Sequence, residues 1–331
     1  MQTISTITPV YNGSQFLPEL INQLHNLKNE IENRHDNVRF LESIFVVDEA
    51  IDNSLQVLNE IAKQYKWIHV IQLSKNYGQH PATIAGIMHS SGDWVFTLDE
   101  DIQHPPSHLP GILKETLQNE CDICYAHSKE SIHKSFLRDT VSMSFKKLVA
   151  LLSGNKNVGK FSSFRCIRGS IARAAAATCS ADTYFDISLS WFSNRICTTT
   201  LNLVDQRNQD GNAKSGYSIW GLIRHAKRLI LSSKLKFLRL ITMLGILSFL
   251  LSIIYSIFVL SKIAMGHEVA VQGWTSTIIS IYFFGGLTCL FLGIILESLS
   301  EILLKTKGKP TFFVVDRSRD AELLASLRSQ E

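Results

Sequence analysis

The sequence predicts an α/β fold on a mostly parallel sheet, followed by a membrane-surface helix and two membrane-spanning helices. Three observations lead there. Over the first 130 residues, apolar runs of strand character alternate with stretches of helical spacing. Those strands are apolar throughout, as expected of a sheet covered on both faces. Further on, Leu240 to Ser261 and Val269 to Leu296 contain no charged residue, and each reaches the roughly 20 residues that cross a bilayer as a helix.

Strands are expected at Ile4–Val10, Ser43–Val47, His69–Leu73, Trp94–Leu98 and Ile123–Tyr125. Between them, helical spacing covers Phe16–Leu27, Ser54–Tyr65, Pro81–His89 and His108–Asn119. In such sheets ligands bind beyond the carboxyl ends of the strands, and the polar residues collect there. The first strand runs into Pro9-Val10-Tyr11-Asn12-Gly13 and the second into Asp48-Glu49-Ala50-Ile51-Asp52. The third ends in Ser74-Lys75-Asn76-Tyr77-Gly78. Residues 131–235 are less regular, and contain Ser163-Phe164-Arg165 and Arg207 ahead of Lys214-Ser215-Gly216-Tyr217. Ile219–Ile230 then sets Trp220, Leu222, Ile223, Leu229 and Ile230 among basic residues, a pattern suited to a helix in the membrane interface. The expected organisation is a domain over 1–218, a basic juxtamembrane segment over 219–239, a two-helix hairpin over 240–296 and a tail over 297–331.

The fourth strand end is the most informative. Val95-Phe96-Thr97-Leu98 runs into Asp99-Glu100-Asp101-Ile102-Gln103-His104-Pro105-Pro106. Strand alternation would put Asp99 and Asp101 on one side, with the proline pair ending the strand. Two carboxylates and an amide oxygen crowded together repel unless a hard cation sits among them. Oxygen-only ligands suit Mg²⁺ or Mn²⁺, completed by water and substrate phosphates, so Asp99, Asp101 and Gln103 are the candidate metal ligands. A solvated acidic turn is the plain alternative for a lone Asp-x-Asp. Four polar strand ends converging in one fold argue against it.

Charge places the spans. Arg224, Lys227, Arg228, Lys234, Lys236 and Arg239 precede the first, and Lys305, Lys307 and Lys309 follow the second. The short loop between them carries only Lys262, His267 and Glu268. That asymmetry puts both termini and the large domain on the cytoplasmic side. The net charge of +4 reflects these flanks and favours an anionic membrane surface; no nucleic-acid-binding motif accompanies it. The first residues, Met1-Gln2-Thr3-Ile4-Ser5, enter a strand and lack signal-peptide character. Six scattered cysteines fit a reducing cytosol. Cys121 and Cys124 have redox or zinc spacing but lie in an apolar run without a second pair, which reads as structural. Gly285-Gly286 in the second span permits close helix packing and leaves self-association open.

Taken in order, these segments resemble the family 2 glycosyltransferases, specifically the polyprenyl-phosphate branch that includes dolichol-phosphate mannosyltransferases and undecaprenyl-phosphate glucosyltransferases. Thr8-Pro9-Val10-Tyr11-Asn12 resembles the opening motif and Val47-Asp48 the first acidic motif. Leu73-Ser74-Lys75-Asn76-Tyr77-Gly78 is similar to a segment usually reading Leu-Ser-Arg-Asn-Phe-Gly. Leu98 to Pro106 is similar to Asp-Ala-Asp-Leu-Gln-His-Pro-Pro, and Lys214-Ser215-Gly216-Tyr217-Ser218 to a late phosphate-contacting motif. The resemblance covers nearly the whole chain. It implies a nucleotide-sugar-binding GT-A fold and transfer with inversion at the sugar carbon. It further implies that Pro9, Tyr11 and Asp48 contact the nucleotide, and that Asp99, Asp101 and Gln103 gather metal and diphosphate. Arg165, Arg207, Lys214 and Ser215 would then engage substrate. The chain departs from the pattern at Gly13, where the family has an acidic residue, at Glu49-Ala50-Ile51, and at Ser163, where many relatives have Asp.

The expected reaction is transfer of a sugar from a nucleotide donor, a UDP-sugar for preference, to polyprenyl phosphate at the cytoplasmic face. A lipid monophosphate is mostly dianionic at neutral pH, its second pKa being roughly 6 as in a phosphorylated side chain, and attacks without a general base. Serine at 163 is then acceptable. Direct transfer to a membrane-associated glycan or glycolipid is the alternative enzyme reading. An inactive membrane scaffold is a third, motivated by Gly13, Glu49 and Ala50 and opposed by retention of Asp99, Asp101 and Gln103.

Overall fold

The computed structural model describes residues 1–34, 37–128, 158–179, 183–201, 236–265, 273–306 and 319–328. Its centre is a seven-stranded sheet. The strands are β1 (Gln2–Val10), β2 (Val38–Val47), β3 (Ile68–Gln72), β4 (Trp94–Thr97), β5 (Ile123–Ser128), β6 (Arg165–Arg168) and β7 (Ile196–Leu201). Their order is β3-β2-β1-β4-β6-β5-β7. All run the same way except β6, which is antiparallel to both its neighbours. The mostly parallel sheet expected from the sequence is observed. Helices cover both faces: α1 (Leu17–Arg34), α2 (Ser54–Ala62) and α4 (Leu109–Gln118) on one, α3 (Gln79–Met88), α5 (Gly169–Thr178) and α6 (Phe185–Phe192) on the other.

Strand alternation feeds the two cores. Ile4, Phe45, Val47, Trp94 and Phe96 face the α1–α4 side, while Ile7, Ile44, Val46 and Val95 face α3 and α5. Helix α3 approaches closely because residue 86 is glycine: a Cβ there would lie 2.4 Å from Ile7 Cγ2 and 3.0 Å from Val46 Cγ2. That approach brings Gln79, at the start of α3, to the strand ends.

Several boundaries differ from expectation. Helix α1 continues past Leu27 through a polar stretch held by the i,i+4 pairs Lys28–Glu32 and Arg34–Glu30. Strand β2 starts well before Ser43, although Glu42 is buried within it. The Glu42 carboxylate is satisfied by Ser5 Oγ at 2.7 Å and by the Ser91 amide at 2.7 Å. Strand β6 was not expected at all, because Arg165 and Arg168 bracket its four buried residues. Each guanidinium has buried carboxylate partners, which is what permits the strand. Strand β4 stops at Thr97, so Asp99 and Asp101 lie in a turn beyond it, contrary to the expectation of strand alternation.

Helices α7 (Lys236–Ala264) and α8 (Trp274–Thr306) follow. Their apolar stretches, Met243–Lys262 and Ser276–Leu296, are 20 and 21 residues long and mostly exposed, enough to cross a membrane. They pack against each other through glycines. A Cβ on Gly245 would lie 2.9 Å from the Cys289 carbonyl, and one on Gly286 would lie 2.8 Å from Phe249 Cα. Gly286 therefore serves contact within the hairpin, whereas Gly285 meets nothing within 4 Å. The expected interfacial helix over Ile219–Ile230 lies outside the described residues.

The chain then returns to the domain. Helix α9 (Asp320–Arg328) sits in the segment expected to be a tail and packs on α4. Leu323 and Leu327 enter the core cluster, and Asp320 accepts two hydrogen bonds from Arg168. Arg168 also donates to Asp122 at 3.1 Å and lies over the Trp94 ring at 4.6 Å. Leu323→Ala is expected to cost about 2–3 kcal/mol of unfolding free energy, against less than about 0.5 for Glu322→Ala on the exposed side. Denaturant titration of the detergent-solubilised protein measures both.

Candidate active site at the strand ends

The chain builds from β1 outward to β3, then crosses back to place β4 on the other side of β1. That reversal opens a crevice at the carboxyl ends of β1 and β4. Two cavities occupy it. The first, about 380 Å³, is lined by Pro9, Tyr11, Asp48, Asp99, Asp101 and Gln103 among others. The second, about 400 Å³, is lined by His80, Ser163, Arg165, Tyr184 and Asp186. They share Pro9, Gln79 and Asp99.

Each carboxylate is held by its own donors. Asp48 is buried and accepts the amides of Tyr77 and Gly78, both at 2.7 Å, so it ties the end of β2 to the start of α3. Glu49, in the left-handed region at φ 52°, accepts the Asn76 amide at 2.9 Å. Asp52 accepts the Ser14 and Ser54 amides and the Ser54 hydroxyl. Burial works to raise its pKa, but the bonds from Ser54 and Ser14 outweigh that and hold it at about 2. Glu100 accepts the amides of Tyr11 and Asn12.

Asp99 stands at the junction of the cavities. Its Oδ1 accepts Gln79 Nε2 at 2.7 Å and its Oδ2 accepts Ser163 Oγ at 2.8 Å. His104 Nδ1 approaches Oδ2 at 3.3 Å without the alignment of a hydrogen bond. The imidazole stacks on Phe164 at 4.6 Å, and burial lowers its pKa against the opposing pull of Asp99. Asp101 is buried and accepts the Gln103 amide. Between them Ile102 takes φ 59°, rare for a β-branched residue, and swings the chain so that Asp101 and Gln103 line one cavity. This turn, rather than strand alternation, gathers the three expected ligands.

The second cavity rests on a buried ion pair. Arg165 pairs with Asp186, donates from Nε to Thr97 Oγ1 at 3.1 Å, and lies over the Phe185 ring at 5.0 Å. Tyr125 donates its hydroxyl to Asp186 at 2.8 Å. Burial disfavours the Arg165 charge, and Asp186 more than compensates, so its pKa is raised. Tyr184 stacks on Phe161 at 6.0 Å and meets His80 at 4.6 Å. Gln79, His80, Tyr184 and Asp186 escaped the sequence reading. Gln79 directly follows Asn76-Tyr77-Gly78 and was within reach of motif reasoning, whereas nothing local marks Tyr184 or Asp186. Arg207, Lys214 and Ser215 lie outside the described residues.

A divalent cation fits this donor set in one way. Among the described residues no group of three or more His, Cys, Asp and Glu side chains converges to hold a metal. Asp99 and Asp101 face the same cavity as the Gln103 amide. Two carboxylates and an amide make an open, oxygen-only site, suited to a hard cation that takes its remaining ligands from phosphate and water.

A parallel sheet with acidic strand ends around a two-chambered crevice is the layout of a GT-A-type domain. The model of glycosyl transferase family 2 matches residues 5–175, more than half of the chain, and the chain belongs to that family. It is 25% identical over 337 residues to the undecaprenyl-phosphate 4-deoxy-4-formamido-L-arabinose transferase of Pectobacterium carotovorum, covering 100% of this chain and 98% of that one. It is 27% identical to the transferase of the same name from Yersinia pestis, covering 95% and 93%. Among solved structures it is similar to glucosyl-3-phosphoglycerate synthase from Mycobacterium tuberculosis, at 15% identity and a TM-score of 0.45, covering 70% of this chain and 78% of that one.

Two outcomes are expected from these contacts. A carboxylate held below its ordinary 3.8 stabilises the fold above that value and ceases to as pH falls through its folded value, about 2 for Asp52. The gap in melting temperature between wild type and Asp52→Asn should hold steady above about pH 5 and close between about pH 4 and 2. Asp186→Ala strands a buried guanidinium and should cost about 3–5 kcal/mol by denaturant titration, with most of it regained on adding Arg165→Met.

Proposed function

We propose that this protein transfers a sugar from a nucleotide-sugar to polyprenyl phosphate at the cytoplasmic face of a bacterial membrane. The end-to-end match to two undecaprenyl-phosphate transferases supports the acceptor class. At that level of identity the sugar does not carry over, and UDP-sugars are the first donors to test. The first cavity takes the nucleotide, between Tyr11 and Asp48. The second takes the sugar, with Asp99 where the two meet.

In the reaction an oxygen of the lipid phosphate forms a bond to the anomeric carbon, and the bond from that carbon to the donor diphosphate breaks. The nucleoside diphosphate leaves, and configuration inverts. Asp99, Asp101 and Gln103 would hold Mg²⁺ or Mn²⁺, which supplies charge stabilisation for the leaving diphosphate. Gln79 and Ser163 orient Asp99 by hydrogen bonds to both of its oxygens. Arg165, paired with Asp186, forms part of the wall of the second cavity.

The observation that carries the phosphate acceptor is the state of the carboxylates on the second cavity. Asp99 is engaged by Gln79 and Ser163, and Asp186 by Arg165 and Tyr125. Asp186 is committed to Arg165 and, on this reading, Asp99 to the cation, whereas a sugar hydroxyl would need a base and a dianionic phosphate needs none. Docking of α9 on the domain supports an even number of crossings, with domain and tail on one side. The basic flanks support the cytoplasm as that side.

The test is purified protein in detergent with a panel of radiolabelled nucleotide-sugars and undecaprenyl phosphate, scored as label extracted into organic solvent. Labelled lipid should form, vanish with chelator and return with added Mg²⁺ or Mn²⁺. Asp101→Asn should lose at least about a hundredfold in turnover. Product on a glycan or glycolipid, with none on polyprenyl phosphate, would move the reading to direct glycan transfer.

A further inference from the structure

The carboxylate of Glu100 occupies the space that a side chain on residue 13 would fill. Glu100 is the middle residue of Asp99-Glu100-Asp101, yet it turns toward the loop after β1. Its Oε2 accepts the Tyr11 amide at 2.9 Å, and its two oxygens lie 3.2 and 3.3 Å from the Asn12 amide. A Cβ on Gly13 would stand 2.4 Å from that Oε2 and 3.0 Å from the carboxyl carbon. The backbone at Gly13 is not left-handed, so conformation alone does not require glycine there. A side chain at 13 would instead displace the Glu100 carboxylate.

We infer that Gly13 and Glu100 are one coupled unit: the space left by the missing side chain at residue 13 admits a carboxylate from the β4 end to the Tyr11–Asn12 turn, which makes Glu100 a positioning residue for the donor cavity. Its role in the donor cavity rests on the function proposed above. The Tyr11 carbonyl is bound by the Ile51 amide at 3.1 Å, so Glu100 and Ile51 together fix Tyr11 between the ends of β1, β2 and β4. The same bonds hold a third carboxylate on the Tyr11–Asn12 turn, where two backbone amides offset its charge beside an anionic diphosphate.

A double-mutant cycle on the full chain in detergent tests this. Glu100→Ala should raise the KM for the nucleotide-sugar about tenfold, with kcat and the KM for polyprenyl phosphate within about twofold. Gly13→Glu alone forces two carboxylates into one space and should lose at least as much. The double variant should return to within about threefold of wild type in donor KM, and toward wild type in ligand-free melting temperature. Should Gly13→Glu not fold, Gly13→Ala replaces it: the methyl displaces the carboxylate when Glu100 is present and is neutral beside Glu100→Ala. Losses that simply multiply in the double variant, in KM and in melting temperature alike, overturn the coupling. Donor KM unmoved by Glu100→Ala overturns the positioning role. Rescue of melting temperature in a protein whose wild type binds no nucleotide-sugar keeps the coupling and overturns the donor-site reading instead.

Discussion

Acidic side chains packed at one edge of a parallel sheet repel one another, and the crevice is organised around relieving that repulsion. Asp48, Glu49, Asp52, Asp99, Glu100 and Asp101 all gather at the carboxyl ends of β1, β2 and β4. Asp48, Glu49, Asp52 and Glu100 each take backbone amides from a neighbouring loop, and Asp99 takes an amide and a hydroxyl from side chains. Charge-assisted bonds of this kind are among the stronger ones available to a loop. The loops after β1 and β3 thereby acquire fixed positions that their sequences alone would not impose. The acidity that, on the proposed reading, a diphosphate-binding cation would exploit is also what orders the walls of the site.

The second cavity follows the opposite logic. Its charges, Arg165 and Asp186, are sealed against each other and against Tyr125 in the interior. A buried pair is weak evidence for stability, since apolar residues could fill the same space. Here it fixes where β6 begins and where α6 begins, and so shapes the cavity wall.

Much of this was legible in the sequence, and the rest was hidden for identifiable reasons. Strands β1 to β5 and helices α1 to α4 follow from apolar period and spacing, and the acidic strand ends from their residue types. Both membrane-length helices follow from the absence of charge. Strand β6 was missed because arginines at both ends read as loop, and their partners, Asp186 and Asp122, lie far along the chain. The true cause of the Asp99–Asp101 juxtaposition was hidden because a left-handed isoleucine has no sequence signature. Gly13 in isolation was one motive for the inactive-scaffold reading, whereas the structure sets it against the Glu100 carboxylate, a contact that sequence separation conceals. Gly286 looked free for self-association and is occupied by Phe249 within the hairpin.

Helix α9 gives the domain a second mooring. After β7 the chain enters the hairpin, and after α8 it comes back to seat Leu323 and Leu327 in the core beside α4. The stretch between α8 and α9, residues 307–319, spans at most about 45 Å when fully extended. A domain held by one strand of chain could swivel and bob above the bilayer, whereas one held on both sides of a hairpin is limited in height by the reach of the shorter connection. On the proposed reading the acceptor phosphate is also confined, to the depth of the headgroup layer. Enzyme and lipid then meet by lateral diffusion in a plane, and encounter depends on surface density in the membrane rather than on concentration in a volume.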